Sequence, residues 1–270
     1  MTAPVFVFTS ETIEPADADA SATPGTILML TGPEARHAVT VKRLRMQERV
    51  DLVDGAGLRL VCEVTGAGVG GAKDRLAARV LERIEEPTPP LRLTLVQALA
   101  KGGRDEQAVE TATEVGVELV LPWQSERCVS VWQGAKQAKG RQRWQATALQ
   151  AAKQARRARV PEIGEARDTR RLADWVGRTV RGGGVVLVLH EEAGTAISTA
   201  MESLGLPAPE EVPPVLAVVV GPEGGISPEE TAVLEAAGAM TVRLGPHVMR
   251  TASAGPVALA VLAHASGLWE

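Results

Sequence analysis

Val215-Leu216-Ala217-Val218-Val219-Val220-Gly221-Pro222-Glu223-Gly224-Gly225-Ile226-Ser227-Pro228-Glu229-Glu230 is the stretch on which the fold turns. The run up to Val220 is short, β-branched and apolar on both faces, which predicts a central strand of a parallel sheet covered by helices on either side. Gly221, Gly224 and Gly225 remove side chains where the backbone must turn and where its N–H and C=O groups could approach a ligand. Ser227 at N-cap, Pro228 at N1 and Glu230 at N3 form a capping box, so a helix starts there. A second unit of the same kind follows: a strand ending at Leu244, a loop from Gly245 to Arg250, then Thr251 to Gly255 leading into Pro256–Ala263. That last run is small and apolar nearly all round, which predicts a closely packed buried helix and offers a dimer face. Two glycine-bearing loops, each leaving an apolar strand, predict one ligand pocket.

Outward from these loops, Leu91 to Ala98, Glu118 to Leu121, Val185 to Leu189 and Thr241 to Leu244 read as further strands alternating with helices, the pattern of an α/β sheet. Glu85-Glu86-Pro87-Thr88-Pro89-Pro90 continues neither a helix nor a central strand. The division expected there is a small β-rich domain over 1–86 and an α/β domain over 91–270. Acidic, alanine-rich Glu11 to Ala22 reads as a flexible loop, and Glu202 to Pro214 as a surface connection. Gly66-Ala67-Gly68-Val69-Gly70-Gly71 matches a dinucleotide fingerprint, but Gln97 and Ala98 stand where an acidic ribose ligand is wanted. A glycine-rich hairpin loop fits at least as well.

The chain has 270 residues, 45% hydrophobic content, no Tyr, two Phe and five Trp. That is material for a large core but few rings for stacking bases, which argues against an aromatic RNA platform. Cys62 and Cys128 fit no CxxC pattern, His190-Glu191-Glu192 lacks the second histidine of HExxH, and no metal site is expected. With no signal-like start and no run of membrane-spanning length, a soluble, cytoplasmic protein is expected.

Net charge is −4, yet no acidic residue lies between Arg127 and Pro161. Lys136, Lys139, Arg141, Arg143, Lys153, Arg156, Arg157 and Arg159 all fall within that run, and Trp144, Ala148, Ala151 and Ala155 lie at helical spacing. An amphipathic helix carrying basic groups around an apolar seam is predicted. A second cluster, Arg36, His37, Lys42, Arg43, Arg45 and Arg49, lies in the N-terminal domain. Together they suit a folded RNA substrate, with Arg36, His37, Arg43, Arg45, Arg127, Arg156 and Arg157 as candidate RNA-binding residues.

GPEGG with its capping box, followed by LGPxxxR-T and an alanine-rich closing helix, resembles the SPOUT methyltransferases, in particular the RsmE-type family that methylates N3 of a uridine in small-subunit ribosomal RNA. The resemblance extends over most of the chain. It takes in His37, Val41, Arg43 and Asp54-Gly55, then Glu114 with Gly116-Val117, Ser125-Glu126-Arg127-Cys128 and Arg143-Trp144-Gln145, then Gln154, Arg157 and Val160-Pro161-Glu162-Ile163. It implies a PUA-like β-barrel domain, a trefoil-knotted α/β domain with a parallel sheet, and a homodimer. S-adenosylmethionine is the implied cofactor, and ribosomal RNA or the small ribosomal subunit the implied partner.

The same resemblance assigns cofactor binding to Leu189 and His190, to Gly221, Pro222, Glu223, Gly224 and Gly225, and to Leu244, Gly245, Val248, Met249, Arg250, Thr251 and Ala254. Arg250 is too basic to remove a proton, so its expected role is to stabilise a deprotonated uracil. Glu223 and His247 are the nearest candidates for a base, and Glu223 could instead cap or orient its loop. Thr111, Gln47, Lys153 and His247 depart from common family residues, and Ala252 stands where the family has Glu. Two alternatives therefore stay open: another RNA target, such as a ribose 2′-hydroxyl, or an RNA-binding homologue without catalysis.

Overall fold

The computed structural model describes residues 3–204 and 213–269, so most of the Glu202 to Pro214 connection lies outside the described residues. Two compact units emerge, Met1–Thr88 with Ala152–Val160, and Pro89–Ala151 with Pro161–Glu270. The cut after Thr88 falls at the proline cluster. The return of Ala152–Val160 to the first unit was not anticipated.

In the first unit the order is β1 (Val5–Val7), β2 (Ile13–Glu14), α1 (Ala18–Ser21), β3 (Ile27–Thr31), α2 (Gly32–Arg36), a π-helical turn (His37–Val41), β4 (Arg49–Val53), β5 (Leu58–Ala67) and β6 (Arg75–Glu85). The sheet runs β1-β4-β5-β6-β3-β2, parallel only between β1 and β4. Phe6, Ile13, Leu30, Leu52, Leu60 and Leu76, one from each strand, share a single core, so the sheet wraps around its own apolar face. Glu11 to Ala22, expected to be a flexible loop, is instead built in. It carries β2 and α1, and Ala18 and Ala22 are buried because their methyl groups fill gaps in that core. The glycine fingerprint closes the β5–β6 hairpin, where Gly68 and Gly70 take left-handed φ values of 68°.

The basic run is corrected as well. Its helix, α4 (Ala135–Gln154), ends before Arg156, whose φ of +57° cannot continue it. Lys153 is buried: its Nζ lies 2.7 Å from Glu34 Oε1 and 5.5 Å from the centre of the Phe6 ring. A charge removed from water needs such a partner, which is why this lysine is a tie within the first unit rather than a solvated group. Arg159 is likewise spent internally, donating to the carbonyls of Ala56 and Glu86.

The second unit continues with β7 (Arg92–Ala98), α3 (Arg104–Val115), β8 (Leu119–Gln124), most of α4, β9 (Glu162–Ile163), β10 (Arg167–Asp168), α5 (Thr169–Arg181), β11 (Val185–Leu189), α6 (Ile197–Leu204), β12 (Val215–Val220), α7 (Pro228–Ala236), β13 (Met240–Val242) and α8 (Thr251–Ala265). Its sheet order is β10-β8-β7-β12-β11-β13, with β9 also on β8, and every pairing is parallel. Alternation along β12 shows why that strand is apolar throughout. Leu216 and Val218 face a core with α3 and α8, whereas Ala217 and Val219 face one with α5 and α7. At Gly255 of α8 a Cβ would come within 2.7 Å of Leu95, so glycine lets the helix lie close on β7. Among the described residues no helix is long and apolar enough to cross a membrane.

Candidate active site

Parallel strands start their loops from one edge of the sheet, and ligands in open α/β sheets bind there. Here Leu189 of β11 pairs with Val242 of β13, and Val220 of β12 with Gln97 of β7, so their loops leave side by side. A cavity of about 820 Å³ opens between them. Every residue expected to hold a cofactor, from Leu189 and His190 through Gly221 to Gly225 and on to Ala254, lines it.

Hydrogen bonds fix the three loops to one another. Thr251 at the start of α8 donates from Oγ1 to the Gly221 carbonyl at 2.8 Å and accepts from Gln97 Nε2 at 2.8 Å. Arg243 follows β13, and its amide donates to Thr195 while its carbonyl accepts from Ile197, both in the β11 connection. Behind the GPEGG loop the capping box forms as the sequence predicts, with Ser227 Oγ accepting from the Glu230 amide. Such a cap is worth about 0.5–2 kcal/mol. Glu230 does more than cap. Its Oε1 accepts from the Glu126 amide at 2.9 Å and from Thr169 Oγ1 at 2.6 Å, joining the Ser125–Cys128 segment to α5 and α7.

Glycine leaves room where the loop closes. A Cβ on Gly221 would sit 2.6 Å from Ile226 Cγ1, and one on Gly224 would sit 3.2 Å from Arg127 Cβ. Arg127 in turn donates to the Gly224 carbonyl at 3.1 Å and lines the cavity, the one predicted RNA-binding residue to do so.

Charged groups divide by role. Glu223 accepts at Oε1 from Arg104 Nη1 at 3.0 Å and from the Lys101 amide at 3.3 Å. Burial raises its pKa most, but its own amide, the Lys101 amide and Arg104 together outweigh that, so the carboxyl is held below its ordinary value. A carboxylate tied this way is a poor proton acceptor and a good loop anchor. Arg250, at the N-cap of α8, is exposed on the cavity wall, and its side chain has no hydrogen bond or ion pair among the described residues. His247 lies on the same wall, and His190 Nδ1 accepts from the Glu192 amide. Ala252, where the resemblance has Glu, is buried and does not line the cavity. Cys128, whose Sγ lies 3.2 Å from Ser125 Oγ, has its thiol pushed up by burial and stays protonated.

The other predicted RNA-binding residues lie in the first unit. Arg36, Arg43, Arg45 and Arg156 are exposed there, and Arg157 is half-buried with its amide on the Ala152 carbonyl. His37 is half-buried against Phe6 in an edge-to-face contact at 5.7 Å, with Lys153 Nζ 3.5 Å from its Nδ1, so it belongs to the internal tie. Sequence reasoning missed Arg104, Glu191, Glu192 and Arg243, which also line the cavity. Arg104 reaches it only because β7 lies beside β12, a neighbourhood that nothing local encodes.

Residues 87–263 match the RNA methyltransferase domain family, and residues 30–71 the RNA methyltransferase PUA domain. Ribosomal RNA small subunit methyltransferase E of Mycobacterium tuberculosis is 44% identical over 91% of this chain and 89% of its own length. The Bacillus subtilis protein of that name is 27% identical over 88% and 90%. A crystal structure of a ribosomal RNA small subunit methyltransferase E from Neisseria gonorrhoeae bound to S-adenosyl methionine superposes with a TM-score of 0.78 at 25% identity, covering 99% of this chain and 98% of that one.

Proposed function

This chain belongs to the RNA methyltransferase family, and on that premise we propose that it transfers a methyl group from S-adenosylmethionine to N3 of a uridine in small-subunit ribosomal RNA. The observation that carries the reading is that the three strand-end loops close one cavity, while the 44%-identical relatives bear the small-subunit methyltransferase name.

The cavity suits the donor. Its volume lies within the range of small-molecule sites. Leu189, Val220, Ile226 and Leu244 provide apolar wall, and peptide groups of the glycine loop provide donors and acceptors without side chains in the way. When bound, S-adenosylmethionine supplies an electrophilic methyl on a sulfonium.

This chain's residues do the rest. Thr251, Gln97 and Glu230 hold the loops rigid, so orientation is settled before the uracil arrives. Arg250 directs an unpaired guanidinium at the place where uracil becomes an anion on losing its N3 proton. Glu223 fixes Arg104 and its own loop rather than taking that proton, which leaves His247 as the other candidate for the task, with His190, Glu191 and Glu192 on the same lining. Arg36, Arg43, Arg45, Arg127, Arg156 and Arg157 grip the RNA. A trefoil-knotted C-terminal domain, a cytoplasmic location and a homodimer complete the reading. Val257 and Val261, a helical turn apart on α8, together with Val248 and Trp269, are large apolar side chains left exposed for that dimer.

The test is to incubate the chain with methyl-labelled donor and small subunits from a strain lacking the modification, then to separate nucleosides by mass spectrometry. N3-methyluridine is the expected product. A ribose-methylated nucleoside points to the other RNA target, and no label at all points to an inactive RNA binder.

A further inference from the structure

The strongest charge anomaly lies outside the cavity, in β10 and α5. Arg170, Arg171, Arg178 and Arg181 are all exposed, and at 3.6 residues per turn they fall within an arc of about 100°. Asp174 shares that arc, Asp168 caps the helix by accepting from the Arg171 amide, and Glu165 lies near Arg167. Even so, none of these arginines makes an ion pair among the described residues. The pattern is not a shortage of acids, because the chain is net negative and several arginines elsewhere find them. Arg59 bridges Asp51 and Glu86, Arg92 meets Glu162, and Arg143 meets Glu106.

Arg167 sharpens the anomaly. Its Nε–H is shut off from water with no acceptor, which native structures seldom leave uncompensated. Burial, then the charge of Arg178, lower its pKa, with Glu165 opposing them and Arg171 adding a smaller push in the same direction. A face on which arginines outnumber the neighbouring acids is stabilised by an external anion.

Position says which anion. Arg167 and Asp168 pair with Trp123 and Gln124 at the carboxyl end of β8. The next residue, Thr169, bonds Glu230, which holds the Glu126 amide, and the neighbouring Arg127 lines the cavity and bonds Gly224. A continuous bonded path therefore links the cavity wall to the arginine stripe. We propose that Arg167, Arg171 and Arg178 bind the phosphate backbone of the RNA that flanks the base in the cavity, with Arg127 as the link between the two. The basic run from Arg127 to Arg159, whose Lys153 and Arg159 are turned inward, is then only part of the RNA surface.

This rests on the RNA-methylating reading and deepens it. The test compares the full-length chain with R171Q/R178Q and with the control K73Q/R79Q, two exposed basic residues outside every candidate RNA-binding cluster, measuring affinity for a small-subunit ribosomal RNA fragment across a salt series. Losing two phosphate contacts flattens the slope of log K against log salt by roughly 1.4 to 1.8, with about a tenfold or greater loss of affinity near physiological salt. Donor binding stays at the wild-type value in calorimetry. The melting temperature does not fall, because the exchange removes repulsion and no internal bond. Wild-type affinity and slope in R171Q/R178Q overturn the proposal, as does an equal loss in K73Q/R79Q. If the wild-type chain shows no donor heat, the parent reading fails by itself, and the slope comparison still decides whether this stripe holds RNA.

Discussion

Arg250 and Glu223 stand on the same cavity wall with opposite chemistry. The arginine is unpartnered and therefore free to meet charge that appears only during reaction. Arg250→Ala should lower turnover by about 100-fold, the scale on which a donor to a developing oxyanion is missed, while donor affinity by calorimetry stays within about twofold. A parallel loss of both would make Arg250 a binding residue alone. Glu223 is already engaged, and its lowered pKa keeps it ionised at every pH above its ordinary 4.5. The sign follows directly: a depressed carboxyl is lost as an anchor only when pH falls through its folded pKa, well below the working range. Glu223→Gln should therefore reduce turnover by about three- to tenfold, the scale of one ordinary net hydrogen bond of about 0.5–1.5 kcal/mol. The shape of the rate profile between about pH 6 and 9 should be unchanged. Disappearance of its acid limb in the variant would restore Glu223 as the base.

At the scale of elements, β12 and the capping box on α7 were legible because burial on both faces and the Ser227–Glu230 reciprocity are written in adjacent residues. The same holds for α8, whose small side chains announce close packing before the strands beneath it are known. The β7 contribution to the cavity was not legible, since Arg104 and Glu223 stand 119 positions apart and meet only through sheet order. Nor was the end of α4. A run of basic residues at helical spacing looks like a solvated face, and nothing local tells that Lys153 will enter the first unit beside Glu34. Breaking that pair by Lys153→Met should cost about 3 kcal/mol, because the Glu34 carboxylate would stay largely buried without a partner. Glu34→Gln added to it should recover part of the loss, with a coupling of about 1–3 kcal/mol in chemical denaturation. Additive losses would mean that the two side chains do not interact.

At the scale of the whole molecule, the exposed apolar residues on α8 and the cavity rim predict association. Sedimentation should give about twice the 28.4 kDa chain mass, and V257E/V261E should return the monomer with its donor cavity intact. A wild-type monomer at micromolar concentration would remove the dimer from the proposed function. The larger claim is that loops from β11, β12 and β13 close around one methyl donor. Calorimetric titration of S-adenosylmethionine into the purified chain and into Gly221→Leu tests it most directly. One site per chain in the wild type, and at least a tenfold weaker site in a variant that remains folded, is the expected result. No heat with the folded wild type, or equal affinity in both, would contradict it.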